Sequence, residues 1–290
     1  MKSALLIPVC LISFNALLSQ DVVIKKNANG DPCIEIQSPE YNTFLGMGSG
    51  ILNAGTNNTS IGYKALFSNT TGSENIALGY QALFINTVGF DNTAIGNGSL
   101  FSNTTSSQNT AIGNNALHSN LGGNNTAVGS RALENNISGF YNTATGGEAL
   151  RFNNGSYSTA NGYQALFYNT TGQYNTATGY RALYSNTVGE NNSATGYRAL
   201  YSNIVGDNNS ANGSSALYSN TGSDNTANGY SALSSNTIGN HNKGVAFLGE
   251  DSKNLLKTIT QNGATTAYSY EFDAEGRVTK ENGVKMYTYY

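Results

Sequence analysis

A unit of 16 or 17 residues returns along most of this 290-residue chain, and no other feature limits its fold as tightly. Aligned on the glycine of Asn-Thr-Ala-x-Gly, twelve copies place Gly46, Gly62, Gly79, Gly96, Gly113, Gly129, Gly146, Gly162, Gly179, Gly196, Gly213 and Gly229 in one column. From Gly62 onward a leucine stands four residues after each glycine and an asparagine seven after it, as in Leu166 and Asn169. The one-residue slack falls between that asparagine and the next Asn-Thr, which marks a loop, because loops absorb length changes cheaply. Self-similarity at a short fixed period is the signature of a solenoid.

A repeat this short cannot bury its apolar residues alone. Stacked neighbours must do so, with one Ala-Leu pair per coil forming a narrow continuous core. Burying a leucine contributes about 1.5 to 3 kcal/mol, against about 1 to 2 kcal/mol of backbone entropy for every residue ordered. Leucine cannot carry a coil, so backbone ladders and stacked asparagine amides must supply the rest. The spacing therefore predicts an all-β chain, a parallel β-solenoid or β-roll of about twelve coils over 42–249. At about 4.8 Å per coil it is a rod roughly 55 to 60 Å long.

Thr-Ala-x-Gly reads as extended by β propensity and alternation. The Ala-Leu stretch is open between a second short strand and one helical turn, and strand is the expectation because Gly162 to Asn169 is too short for a stable helix. Phe44 in place of Ala and Gly50 in place of Leu make the first copy degenerate, as a terminal cap should be. Before the array, 21–41 reads as a hairpin and cap. After it, 250–290 reads as a small β-hairpin or three-stranded element, with strands expected at Ala267–Phe272, Arg277–Lys280 and Val284–Tyr290.

Residues 1–20, with one early lysine and an apolar run, read as a secretory signal peptide. That leaves Cys33 as the one cysteine of the mature chain and no internal disulfide. No later segment is long and apolar enough to span a membrane as a helix. A net charge of −3 without a Lys/Arg cluster gives no surface for nucleic acid. Localisation is expected to be secreted or cell-surface.

The Asn-Thr-Ala-Ile-Gly copies at Asn92–Gly96 and Asn109–Gly113 resemble the head repeats of trimeric autotransporter adhesins and related tail-fibre proteins, over about 42–242. The resemblance implies a left-handed parallel β-roll that assembles as a trimer and acts in adhesion. Tyr270-Glu-Phe-Asp273-Ala-Glu-Gly276-Arg277-Val-Thr279 is similar to the YD repeat of RHS-type surface proteins.

No catalytic, cofactor-binding or metal site is expected. His118 and His241 lack convergent partners, no carboxylate pair recurs, and the glycine-rich loops lack the Gly-Lys-Ser/Thr ending that grips phosphate. Two surfaces are candidates instead. Tyr63, Tyr80, Tyr163, Tyr180, Tyr197 and Tyr230 form a column whose stacked aromatics suit a glycan or a protein partner, or simply pack coil on coil. The x position runs Leu45, Ile61, Leu78, Ile95, Ile112, Val128 and then Thr145, Asn161, Thr178, Thr195, Asn212, Asn228, apolar in its first half and polar in its second. If Ala faces the core, x faces out, and an exposed apolar stripe marks an interface between copies of the chain. The function expected is a non-enzymatic adhesive or structural head. The rival, suggested by Thr143-Ala-Thr145, Thr176-Ala-Thr178 and Ser193-Ala-Thr195, is an ice- or surface-binding solenoid.

Overall fold

The computed structural model describes residues 40–236 and 241–243 in full. Beyond them it gives the backbone of Asp21–Lys26, Pro32–Gln37, Lys243–Leu248, Asn254–Gln261, Ala264–Phe272 and Val278–Tyr287. The expected signal segment over 1–20 lies outside the described residues. In chain order, β1 (Asp21–Lys26) pairs antiparallel with β2 (Pro32–Gln37) in a sheet of their own.

Twelve three-residue strands then follow: β3 (Thr43–Leu45), β4 (Thr59–Ile61), β5 (Ile76–Leu78), β6 (Thr93–Ile95), β7 (Thr110–Ile112), β8 (Thr126–Val128), β9 (Thr143–Thr145), β10 (Thr159–Asn161), β11 (Thr176–Thr178), β12 (Ser193–Thr195), β13 (Ser210–Asn212) and β14 (Thr226–Asn228). Each pairs in parallel with the next and in strict register, Ala160 beside Ala177 and Ala177 beside Ala194. The chain is a parallel β-solenoid with coils of 16 or 17 residues.

β15 (Lys243–Leu248) adds to β14 in parallel. Then β16 (Asn254–Gln261), β17 (Ala264–Phe272) and β18 (Val278–Tyr287) continue the same sheet antiparallel. The C-terminal strands thus extend the solenoid's sheet. Within the described residues, the runs expected separately at Arg277–Lys280 and Val284–Tyr290 fall in one strand, β18, paired with β17 on both sides of Gly283 with a register shift at Glu271/Phe272.

The Ala-Leu stretch corrects the expectation of a second strand, and it is not a helical turn either. It is a pair of corners: Leu166 has φ +52° and Gln164 φ +55°, and the matching residues of the other coils lie in the same left-handed region. Such a conformation costs an L-residue about 1 to 2 kcal/mol. It persists because the corner keeps the ladder intact, with the Leu166 N–H donating to the Ala182 carbonyl one coil on at 2.9 Å. It also drives the side chain inward, where the leucine four residues after each glycine, from Leu66 to Leu217, is fully buried against the alanines. Burial of about 1.5 to 3 kcal/mol offsets the strain at the leucine itself. Leu166→Ala is expected to lose about 2 to 5 kcal/mol by opening a cavity, read as a fall in urea midpoint. An unchanged midpoint would show that Leu166 is not core.

The glycine column has a packing cause. Gly179 has φ +128°, and a Cβ there would lie 2.5 Å from the Gly196 carbonyl oxygen of the next coil. No other residue allows that approach.

Two buried asparagine ladders finish the core. Asn186 Nδ2 donates to Asn169 Oδ1 at 2.8 Å and to the Gly189 carbonyl at 2.9 Å, and its Oδ1 accepts from Asn203 Nδ2 at 3.0 Å. The same grip holds both loop lengths. Asn153 reaches Gly155 at 2.8 Å in the shorter loop, and Asn169 reaches Gly172 at 2.7 Å in the longer. The asparagine is therefore invariant where the loop is not. In the second ladder the Asn192 N–H donates to Asn175 Oδ1 at 2.9 Å and Asn192 Nδ2 to the Gly206 carbonyl at 2.8 Å. Ser158 is the one rung without an amide: its N–H takes Asn142 Oδ1 at 3.0 Å and its hydroxyl accepts from the Asn175 N–H at 3.3 Å.

Candidate interaction surfaces

Alternation along each three-residue strand turns the middle residue, alanine from β5 on, inward and its two neighbours outward. Ala94, Ala111 and Ala127 are fully buried, while the x residues Leu45, Ile61 and Ile112 are 61%, 40% and 38% exposed. Leu78, Ile95 and Val128 are half-buried on the same face. Ile76, on the other outward column, adds an apolar side chain 40% exposed. From β9 on, the same face carries exposed Thr143 and Thr145, Thr159 and Asn161, Thr176 and Thr178, Ser193 and Thr195 in parallel ranks. One face of one sheet thus changes chemistry between Val128 and Thr145 without a change of backbone.

The tyrosine column is two short stacks and an outlier. Tyr63 lies on Tyr80 with ring centroids 5.3 Å apart, and Tyr163, Tyr180 and Tyr197 follow at 5.8 and 5.3 Å, all within 17° of coplanar. Asn97, Asn114, Ser130 and Gly147 separate the two stacks, and Ser214 separates Tyr230 from them. Stacking of this kind uses the ring faces on each other. What remains for a ligand is ring edges and hydroxyls, so a sugar cannot lie flat on the inner rings as it would on an isolated aromatic.

A second aromatic column, five residues after each glycine, escaped the sequence reading. Phe67, Phe84, Phe101 and His118 stack at 5.4, 5.0 and 5.0 Å, and Phe167, Tyr184, Tyr201 and Tyr218 at 5.2, 5.1 and 5.0 Å. The signal was present, since the residue after the invariant leucine is aromatic in most copies, but it mixes Phe, Tyr and His and so looks irregular by residue type. Between the two stacks the column holds Glu134 and Arg151, which pair at 2.6 Å. A third stack, Tyr141, Tyr157 and Tyr174 at 5.2 and 5.0 Å, runs along the loop side.

His118 ends the first stack, coplanar with Phe101 to 1°. Burial pushes its imidazole below the usual value, and Glu134 only partly offsets this. A depressed folded pKa means that the neutral ring is the one the fold accepts. Its stabilising contribution is complete above about pH 6.5 and is lost as pH falls through the lower folded value. His118→Phe, which continues the stack without a proton site, is expected to flatten the fall in thermal midpoint between about pH 7 and 5. The same slope in both proteins would place the pH sensitivity elsewhere.

Among the described residues, no three His, Cys, Asp or Glu side chains gather as metal ligands. Along the loop column Glu74 meets Asp91, whose hydrogen bond and charge raise the Glu74 pKa. Among the described residues no helix is long and apolar enough to cross a membrane. Comparison of the chain with family models, with curated proteins and with solved structures finds no match.

Proposed function

We propose that this is a non-enzymatic, secreted or cell-surface protein whose rod is the adhesive or structural head of a surface or fibre assembly, in the manner of the adhesin heads its repeats resemble. The apolar outward column from Leu45 to Val128 supports this reading most directly. Exposed Leu and Ile in line on a flat sheet cost solubility unless another surface covers them. The occupant that fits is a second and third copy of the same column, since identical rods align coil with coil. The polar half of the rod then stands free to meet a ligand.

Light scattering on the mature protein tests the assembly: a trimer has three times the mass of its protomer. Ile61→Asn, Ile95→Thr and Ile112→Asn together copy the polar half onto the apolar one, and the triple variant is expected to run as a monomer. A monomeric wild-type chain overturns the trimer. Attachment of cells to surfaces coated with the protein tests adhesion itself. The ranks of Thr and Ser on β9 to β13 favour one rival, a surface that orders water or binds ice. Thermal hysteresis in freezing solutions of the full chain decides between them, and a positive result puts the rival first.

A further inference from the structure

Within the array stand four arginines, Arg131, Arg151, Arg181 and Arg198. They divide into two kinds. Arg131 and Arg151 are neutralised in place by Glu134 and Glu148, Arg151 at 2.6 and 3.1 Å and Arg131 at 3.9 and 3.7 Å. Arg181 and Arg198 have no carboxylate within ion-pair distance among the described residues. They occupy the same position in successive coils, two residues after Gly179 and Gly196, so their backbones lie one coil rise apart, about 4.8 Å.

Each guanidinium sits between two tyrosines of its own coil. Arg181 lies 5.2 Å from the ring centres of both Tyr180 and Tyr184, and Arg198 lies 5.1 Å from Tyr197 and 5.6 Å from Tyr201. Those rings are members of the two stacked columns, so each cation lies between one column and the other. A guanidinium has five N–H donors and no acceptor. Arg181 spends its Nε on Gln164 Oε1 at 2.7 Å, whereas the buried Nε of Arg198 has no partner. Turning Arg198 toward an outside acceptor therefore costs it no hydrogen bond.

Building on the adhesive reading, we propose that the strip from Gln164 to Tyr218 binds a carboxylated polysaccharide, with Arg181 and Arg198 each taking one carboxylate and the flanking tyrosine hydroxyls bonding the sugar oxygens. Two arguments select this class. The faces of the inner tyrosines are covered by their neighbours, so the strip offers N–H and O–H groups and positive charge, which suit an acceptor-rich anion. The unpaired cations also stand side by side in successive coils, which favours a polymer with a carboxylate on every ring over a neutral glycan.

Retention of the full chain on polygalacturonate, with its affinity measured by calorimetry, tests the proposal. Wild type is expected to bind polygalacturonate and not neutral dextran, and to release it when ionic strength rises from about 0.05 to about 0.5 M. Arg181→Gln with Arg198→Gln is expected to weaken binding about tenfold or more while keeping the circular dichroism and thermal midpoint. Arg131→Gln, which removes a charge from the same column where it is already neutralised, is expected to leave affinity unchanged. The assignment is overturned if wild type ignores polygalacturonate, if polyglutamate binds as well, or if the double variant binds like wild type. A chain that supports cell attachment but ignores polygalacturonate refutes the strip alone. One that binds polygalacturonate through these arginines yet supports no attachment refutes the adhesive reading alone.

Discussion

Asn186→Asp is expected to destabilise the rod by about 3 to 5 kcal/mol at neutral pH, the usual cost of an uncompensated buried charge. The change alters almost no volume. It replaces the Nδ2 donor with an oxygen that faces Asn169 Oδ1 and the Gly189 carbonyl, both of them acceptors. Only a protonated aspartate can restore one of those bonds. Its folded pKa is therefore raised above the unfolded value of about 3.9. The variant comes closest to wild type below that pH and loses ground as pH rises through the folded value. Urea midpoints of both proteins at about pH 3.5 and 7.5 check this, because the comparison cancels acid effects common to the two. A gap of the same size at both pH values would mean that the amide ladder is not what Asn186 supplies.

For Gly179→Ala the expected loss is about 2 to 6 kcal/mol, the sum of backbone strain and overpacking. The methyl group meets the Gly196 carbonyl oxygen at 2.5 Å, and coil spacing there must open to relieve it. Because each coil touches only its neighbours, the damage should stay local. Amide exchange is expected to quicken across β10 to β12 while β4 to β7 keep their protection. Uniform quickening, or none, would contradict a nearest-neighbour rod.

The fold was legible because a solenoid repeats its constraints, so the same requirement is written once per coil. Ala177 inward and Thr178 outward follow from alternation alone, and the buried asparagine columns follow from their recurrence. The corners were not legible in the same way. Propensity places Ala182-Leu183 in a helix or strand, and only a coil that has to close in 16 or 17 residues forces Leu183 to φ +51°. Tertiary closure overrode the local preference. The surfaces were read in part. The outward facing of the Leu45-to-Val128 column depends on one alternating position and could be read, whereas the second aromatic column mixes Phe101, His118 and Tyr184, whose shared property is flatness. The pairing of Arg181 and Arg198 with tyrosines on both sides needed the three-dimensional register, since Tyr180 and Tyr184 are four residues apart and meet the same guanidinium only because the chain turns between them.

The buried amides also carry a biosynthetic consequence. Asn58, Asn69, Asn103, Asn136 and Asn169 each begin an Asn-x-Ser/Thr triplet, the acceptor sequence for N-linked glycans. All five are fully buried, and each spends its Nδ2, the nitrogen that would carry the sugar, on bonds within the rod. A glycan attached to the nascent chain at any of them would sit where the next coil must stack. The fold therefore requires that these nitrogens stay bare until the coils have closed over them.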